Sequence, residues 1–283
     1  MPNLARTPLR LAVCNEVFEK ADFAASCRLL KKTGWQGIEL APFTLAEDAT
    51  TLTAARRREL RDIMSSEGIQ FVGLHWLMVS PPGLHVTTPD ATLRRMSWDY
   101  VAGLIDLCAD LGPNGVMVFG SPKQRRSTGG LSPAHATKHF SHGIASVAPR
   151  AVERGITICL EPLPVSETDV LLTLDEAASM VKQVNSPAIR TMYDSHNAID
   201  EAQPHEKLMD RFFDLIRHVH VNEMDGTHPR PGGGHDFKPV LQTLKDRGYT
   251  GWVSMEVFDF SPGAEKIVTE TGAYLRNEIA KLR

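Results

Sequence analysis

Residues 156–163 of the chain, ITICLEPL, form a short run of β-branched and apolar residues with one acidic side chain near its end, Glu161. A helical pattern follows this run and opens with TLDE, in which Thr173 and Glu176 can each satisfy a free backbone N–H group of the other as a capping box. Together the two segments predict one β-strand followed by one α-helix. Other units of one strand followed by one helix lie both before and after this segment.

Seven more β-rich runs alternate with helical patterns, and they lie at residues 9–17, 37–41, 70–77, 115–121, 189–197, 216–223 and 251–258. Eight strand–helix units suit a closed (β/α)8 barrel, or TIM barrel, which typically takes ~250 residues. The alternative is an open doubly wound sheet, which normally has a glycine-rich turn after its first strand. The turn after Val17 contains no glycine. We therefore predict an α/β fold with a single TIM barrel domain over residues 1–283.

The composition excludes several classes of protein. A hydrophobic fraction of 42% can fill a sizeable core, so disorder is excluded as the main state. The formal net charge of -3 argues against a nucleic-acid partner, whose phosphates require a basic excess. No run of about 18 apolar residues predicts a membrane span, and the first residues, MPNLARTPLRLAV, lack the unbroken apolar stretch of a secretory signal. The four cysteines contain no CxxC motif and are expected to be reduced, which predicts a cytoplasmic protein.

In a TIM barrel the active site lies at the carboxyl ends of the strands. Four consecutive predicted strands, the fifth to the eighth, carry an ionisable residue near this end: Glu161, Asp194, His220 and Glu256. Each is embedded in an apolar run, where an unpaired charge is costly. Oxygen and nitrogen ligands of this kind predict one divalent metal ion, with Mn²⁺ favoured and Mg²⁺ or Co²⁺ as alternatives. The other interpretation, four separate polar groups of the core, requires a coincidence on four strands in succession.

On these residues the chain resembles the sugar phosphate isomerase/epimerase superfamily with its xylose-isomerase-like TIM barrel, and within it ketose 3-epimerases such as D-tagatose 3-epimerase. The spacings of 33 residues from Glu161 to Asp194 and of 26 residues from Asp194 to His220 are those expected of these epimerases. The resemblance implies that all four residues bind the metal. It also implies that Glu161 and Glu256 are the catalytic residues that transfer protons.

The resemblance implies further contacts with substrate. Glu167 falls where the family has a second glutamate that holds the substrate end nearest the carbonyl, and Arg230 resembles an arginine that contacts a substrate hydroxyl. The family commonly places a histidine three residues after the aspartate of the sixth strand, but this chain has Asn197 there and His196 one residue earlier. We therefore expect His196 to bind substrate, and leave the orientation of the substrate at that end open.

Strand position alone adds three candidate substrate-binding residues. His75 and Trp76 end the third predicted strand and Glu39 lies at the end of the second, so each is expected to line the pocket, with a place in the core as the alternative. The basic stretch KQRR at 123–126 is expected to be a loop that either holds an anionic group of the substrate or is simply solvated. Residues 225–237, DGTHPRPGGGHDF, predict a lid or substrate loop.

These groups predict a reaction. A metal that chelates the carbonyl and a neighbouring hydroxyl of a ketose makes the intervening C–H acidic by stabilising an enediolate. If Glu161 and Glu256 lie on opposite faces of that carbon, one removes a proton and the other returns one, which inverts the centre. We therefore predict an isomerase, a metal-dependent epimerase or aldose–ketose isomerase acting on a small keto sugar.

Two other functions stay open from the sequence. The same site suits a lyase or dehydratase that eliminates from a 3-keto sugar or glycoside, and a barrel that binds sugar without catalysis is the non-enzymatic alternative. The resemblance also implies a homo-oligomer, either a dimer or a tetramer.

Overall fold

The computed structural model describes residues 8–19 and 21–283, in which eight parallel strands form a closed barrel in sequence order, β8 pairing with β1. The strands are β1 (Arg10–Cys14), β2 (Gly37–Leu40), β3 (Gln70–Leu74), β4 (Val116–Phe119), β5 (Thr157–Leu160), β6 (Ile189–Asp194), β7 (Ile216–Val221) and β8 (Trp252–Met255). The TIM barrel predicted from the sequence is therefore confirmed. Residues 1–7 and 20 of the predicted domain lie outside the described residues.

Helices follow the strands and surround the barrel. They are α1 (Phe23–Lys32), α2 (Ala54–Ser66), α3 (Ala91–Leu111), α4 (Pro122–Arg125), α5 (Pro133–Arg154), α6 (Leu174–Val184), α7 (His205–Phe212), α8 (Lys238–Asp246) and α9 (Ala264–Ala280). At the start of α6, the Thr173 hydroxyl accepts from the N–H of Glu176, while the Glu176 carboxylate accepts from the N–H of Leu172 rather than from that of Thr173. Within the part of the chain that the structure describes, no helix is long and apolar enough to span a membrane.

The strands are shorter than the apolar runs predict. β3 ends at Leu74, so His75 and Trp76 belong to the loop that follows it. Glu161 and Glu256 likewise come directly after β5 and β8. The prediction of a loop at 123–126 is also wrong in part, because a short helix, α4, ends at Arg125. Residues just beyond parallel strands stand on one rim of a barrel, where their side chains can converge.

The apolar core has two parts. Outward-facing strand residues such as Ile38 and Phe119 belong to a large cluster with helix residues. A smaller cluster contains strand residues only and includes Cys159, Met192 and Trp252. Side chains two residues apart on a strand point to the same face. On the inner face Cys159 is therefore followed by Glu161, and Met192 by Asp194. Trp252 is followed by Ser254 and then by Glu256. The barrel interior thus changes from apolar to ionisable toward its carboxyl end.

Candidate metal centre

Four buried residues meet at the carboxyl end of the barrel. One ligand atom from each of Glu161, Asp194, His220 and Glu256 lies within 4.8 Å of those of the other three. Asp194 is the last residue of β6 and His220 lies inside β7, between the two glutamates that follow β5 and β8. The structure thus brings together the four residues that the sequence analysis names as metal ligands.

The imidazole of His220 is oriented as a metal ligand. Its Nδ1 lies 3.2 Å from Oε2 of Glu256 and 3.7 Å from Oδ2 of Asp194. Its Nε2 faces the other way, 3.2 Å from Oε1 of Glu39. When Nε2 carries the proton and donates it to Glu39, the lone pair of Nδ1 faces the acidic cluster, as metal-binding histidines are held by carboxylates in metalloproteins.

The pKa values of the carboxyl groups report their crowding. Burial, with the nearby Glu256 carboxylate as the second cause, raises the pKa of Asp194 to about 6. Burial and the charges of Glu256 and Asp194 raise the pKa of Glu161 well above its ordinary value. Burial also acts to raise the pKa of Glu256, but the adjacent His220 imidazole outweighs it and lowers the pKa. Buried carboxylates that repel one another fit a site for a divalent cation.

Two asparagines hold the acidic side chains. Nδ2 of Asn197 donates to Oε1 of Glu161 at 3.0 Å, and the backbone N–H of Asn197 donates to Oδ1 of Asp194 at 2.7 Å. Nδ2 of Asn222 donates to Oδ2 of Asp194 at 3.3 Å. Asn197 occupies the position where the resemblance leads one to expect a histidine, and here its side-chain amide fixes Glu161 while its backbone N–H fixes Asp194.

The carboxylate of Glu39 contacts two histidines. It is fully buried, and its Oε2 accepts from Nε2 of His218 at 2.7 Å while Oε1 faces His220. Burial acts to raise the pKa of Glu39, but the two imidazoles outweigh it and hold the pKa well below the ordinary value. Glu39 therefore lies behind the predicted ligand His220, on the side away from Asp194 and Glu256.

His75 and Trp76 lie at the same end of the barrel in different surroundings. His75 is fully buried, with Nε2 at 2.6 Å from Oε2 of Glu16, a residue that the sequence analysis did not single out. Trp76 is half-buried with a positive φ of 48°, and its ring stacks between those of Phe43 and Phe258, with 5.9 Å between centroids on each side. The rings of Phe43, Trp76 and Phe258, which follow β2, β3 and β8, are called the aromatic wall below.

The three substrate contacts implied by the resemblance all lie in loops on this rim. Nδ1 of His196 is 2.8 Å from the carbonyl oxygen of Met224, and its ring lies 5.5 Å from that of Phe258 in the aromatic wall. Glu167 is half-buried in the loop after β5. Arg230 donates to the hydroxyl of Thr227 and to the carbonyl oxygen of His228, within the predicted lid segment.

Arg125, from the predicted basic loop, is neither solvated nor open to an anion. It is fully buried, and Nη1 donates to the carbonyl oxygens of Phe119 at 3.0 Å and of Glu161 at 2.7 Å. Nη2 donates to the carbonyl oxygen of Leu171 at 3.2 Å. Burial lowers the pKa of Arg125 to about 10, which leaves it charged at neutral pH. Its role is to hold the backbone where β4 and β5 end, and with it the position of Glu161.

A closed parallel barrel with an acidic, histidine-containing centre at its carboxyl end defines a TIM-barrel protein with a candidate divalent-metal site. The model of the Xylose isomerase-like TIM barrel family matches residues 27–278. The chain belongs to this family, as predicted from the sequence.

Among curated relatives, fructoselysine 3-epimerase of Shigella flexneri is 23% identical over 232 residues, covering 79% of this chain and 81% of the relative. Inosose dehydratase of Serratia proteamaculans is 22% identical over 255 residues, covering 75% of this chain and 80% of the relative. The structure of D-psicose 3-epimerase from Clostridium cellulolyticum H10, solved with D-tagatose, superposes with a TM-score of 0.83 at 20% identity and covers 97% of this chain and all of that one. The IolI protein, solved with a bound zinc atom, gives a TM-score of 0.77 at 17% identity and covers 97% of this chain and 99% of that one.

Proposed function

We propose that the protein is a divalent-metal-dependent isomerase that epimerises a keto sugar through an enediolate, with Glu161 and Glu256 as opposed proton-transfer groups. The observation that carries the proposal is the convergence of three carboxylates and one imidazole within 4.8 Å at the carboxyl end of the barrel. The relatives named as epimerases support the reaction class.

The residues that hold the metal in this proposal are Glu161, Asp194, His220 through Nδ1, and Glu256. A divalent ion there supplies Lewis-acid polarisation of the substrate carbonyl. The oxygen-rich donor set suits Mn²⁺ first, with Mg²⁺ or Co²⁺ as alternatives. The zinc atom bound by the IolI protein adds Zn²⁺ to the ions to be tested.

The proton-transfer roles follow from where the two glutamates stand. Glu161 follows β5 and Glu256 follows β8, three strands further round a ring of eight, so the carboxylates reach the centre of the barrel from different sides. One carboxylate removes the proton beside the carbonyl, and the other delivers a proton to the opposite face. Asn197 donates to Oε1 of Glu161, so this carboxylate is positioned before the substrate arrives.

The substrate in this proposal lies between the metal centre and the loops of the rim. The aromatic wall offers apolar ring faces to the C–H surface of a sugar. Glu167, His196 and Arg230 are proposed to bind its hydroxyl groups, since their polar ends lie in loops at the same end of the barrel. His75 and Glu39 are proposed to act behind this layer, because both are fully buried.

A dehydratase that eliminates from a 3-keto sugar is the second candidate, and the inosose dehydratase relatives favour it. In that reaction Nδ1 of His196 stays bound to the carbonyl oxygen of Met224, and Nε2 protonates the leaving group from the imidazolium form, in which both ring nitrogens carry a proton. The product distinguishes the two candidates. A single domain over residues 1–283, a cytoplasmic location and a dimer or tetramer stay predictions from the sequence.

The test is proton exchange followed by NMR. The chain is stripped with chelator, reloaded separately with Mn²⁺, Mg²⁺, Co²⁺ or Zn²⁺, and incubated in D₂O with ketoses, ketose phosphates and 3-keto sugars. We expect metal-dependent deuterium uptake at the carbon beside the carbonyl, with inversion at that carbon. Glu161→Gln and Glu256→Gln should each lower the rate by at least ~10²-fold.

Glu59→Gln is the matched control, because Glu59 lies exposed on α2 and pairs only with Arg56 in the described structure. It should exchange like the unmodified chain. Formation of an enone in place of an epimer selects the dehydratase. No uptake from any sugar by a fully metal-loaded chain removes the epimerase proposal.

A further inference from the structure

A second group of buried metal-binding side chains lies beside the proposed centre. It consists of Cys14, Glu16, His75 and Glu256, and one donor atom from each lies within 4.8 Å of the others. Cys14 is the last residue of β1, Glu16 lies in the turn after it, and His75 directly follows β3. Glu256 belongs to both groups. We propose that these four residues form a second divalent-metal site, with Glu256 bridging two ions.

The orientation of His75 supports this site. Its Nε2 faces Glu16 at 2.6 Å, and its Nδ1 faces Oε1 of Glu39 at 3.9 Å. The Glu39 carboxylate therefore stands behind His75 as it stands behind His220, on the side away from the proposed ligand nitrogen in each case. Of these two contacts only the one between Glu39 and His220 is a hydrogen bond, and His75 is oriented by its contact with Glu16.

One unsatisfied buried atom supports it independently. Oε1 of Glu16 is buried without a hydrogen-bond partner among the described residues. The Glu16 side chain is only 2% exposed, so its free oxygen has no compensation from solvent. A cation bound by Glu16 and Cys14 supplies the missing partner of that oxygen.

The negative charge of the buried carboxyl groups also favours a second ion. Five carboxyl groups are buried within or directly beside the two groups, those of Glu16, Glu39, Glu161, Asp194 and Glu256. Three histidines contact them, His75, His218 and His220. A histidine that binds a metal is neutral, so one divalent ion compensates only two of the five negative charges. A second ion brings the buried charges closer to balance.

The donor types predict which ion binds. A thiolate, an imidazole and two carboxylates form a borderline-soft set that suits Zn²⁺ or Co²⁺ and disfavours Mg²⁺. The first site has no sulfur ligand, so the two sites differ in their preference. This inference shares Glu256 with the proposed function, and the experiment below therefore measures metal binding without reference to turnover.

The experiment uses the full chain and Co²⁺, which reports its ligands in its absorption spectrum. The stripped chain is titrated with Co²⁺, desalted, and analysed for metal content and near-ultraviolet absorption. We expect two ions per chain and a sulfur-to-cobalt charge-transfer band. Cys14→Ser should lose the band, and Glu16→Gln and His75→Gln should each reduce the content from two ions to one.

Two further variants make the assignment specific. Cys159→Ser removes another buried thiol on the inner face of the barrel, one that belongs to none of the candidate metal groups, and should keep the band. Asp194→Asn alters only the first site and should also keep it. One ion per chain without a band in the unmodified protein, which requires no variant to fold, overturns the inference, as does a band that survives Cys14→Ser.

The result is separable from that of the exchange assay. Deuterium uptake by a chain that holds only one ion leaves the epimerase proposal in place and removes the second site. Two bound ions and a Cys14-dependent band without uptake from any sugar retain the second site and remove the epimerase.

Discussion

At the scale of the residue, the centre depends on side chains that do not themselves face the proposed metal. Oε2 of Glu39 accepts from His218 and Oε1 faces His220, so one carboxylate fixes two imidazoles. The buried position of Glu39 makes these contacts strong, because neither partner is compensated by water. We infer that Glu39 determines the orientation of His220 rather than the binding of substrate.

The variant Glu39→Gln tests this role against the substrate contact predicted from the sequence. A neutral amide accepts weakly and presents an N–H₂ group to one of the imidazoles, so His220 loses its orientation. We expect affinity for Mn²⁺ to fall ~10–100-fold, which is the usual effect of removing a group that orients a ligand. Isothermal titration of the stripped chain measures it.

Glu270→Gln is the control, since Glu270 lies on the exposed side of α9 and pairs with His228 and Lys266. It should leave the affinity unchanged. If Glu39→Gln raises KM for the sugar while the metal affinity stays constant, Glu39 contacts substrate and the orienting role is wrong.

The sequence indicates some of these residues and not others, for a physical reason. An ionisable residue in an apolar run, such as Asp194 or His220, is conspicuous because its burial must be compensated. Asn197 lies in a polar segment, where such a residue is ordinary, whereas Glu16 lies near the end of the apolar run 9–17 and carried the same signal as Asp194. Their partners are defined only when neighbouring strand ends meet, which no local pattern records. His218 was available to inspection, because it lies two residues before His220 and so shares its face.

At the scale of the element, the apolar pattern predicts that a strand exists better than it predicts where the strand ends. Residues beyond the hydrogen-bonded ladder, such as Leu77 and Val257, are still buried inside the protein, so the apolar run continues past the strand. The prediction for the basic stretch at 123–126 was wrong for Arg125. Its composition suggested solvent or an anion, but Arg125 is the cation that binds three backbone carbonyls where two strands end.

The variant Arg125→Met tests that structural role. Methionine fills a similar volume but donates no hydrogen bond, so the carbonyl oxygens of Phe119, Glu161 and Leu171 lose their donor. Each buried unsatisfied group costs about 1–3 kcal/mol, and partial relaxation of the loops reduces the total. We expect the free energy of unfolding to fall by about 3 kcal/mol in urea denaturation.

Arg126→Met is the matched control on the next residue, which is more exposed. It should change stability by no more than about 0.5 kcal/mol. A loss for Arg125→Met as small as that of the control contradicts the proposed backbone role.

At the scale of the whole molecule, the fold was predictable because the strand–helix pattern that indicates it is repeated eight times. Eight strand–helix units leave few arrangements for the chain, and a closed barrel needs no information beyond their number and order. Closure also brings the ends of distant strands together, which is why four strand-end residues could be grouped before their distances were known. The positions of the side chains between the rim and the core, by contrast, are set by loop conformations such as the positive φ of Trp76. The strand–helix pattern does not predict these conformations.

Removal of the metal is expected to change the stability of the whole molecule, because the four proposed ligands of the first site lie on or directly after β5, β6, β7 and β8. An ion that binds the folded chain but not the unfolded one stabilises the fold by about 2.7 kcal/mol when present at 100 times its dissociation constant. For a chain of this size that amount corresponds to a rise in Tm of about 5 °C. We therefore expect chelation to lower Tm by about this amount, measured by calorimetry, and Mn²⁺ to restore it.

Two variants test whether that difference in Tm comes from metal bound at the first site. Asp194→Asn should reduce the difference in Tm between the stripped and the Mn²⁺-loaded protein, because the first site loses a ligand. Asp210→Asn, which removes only an exposed partner of Arg247, should retain the full difference. Equal Tm values for the stripped and the loaded protein would mean that the cluster is a set of mutually paired acids and histidines. In that case the protons shared among Glu39, His218 and His220 hold the carboxyl end of the barrel together, and the chemistry proposed for Glu161 and Glu256 loses its Lewis acid.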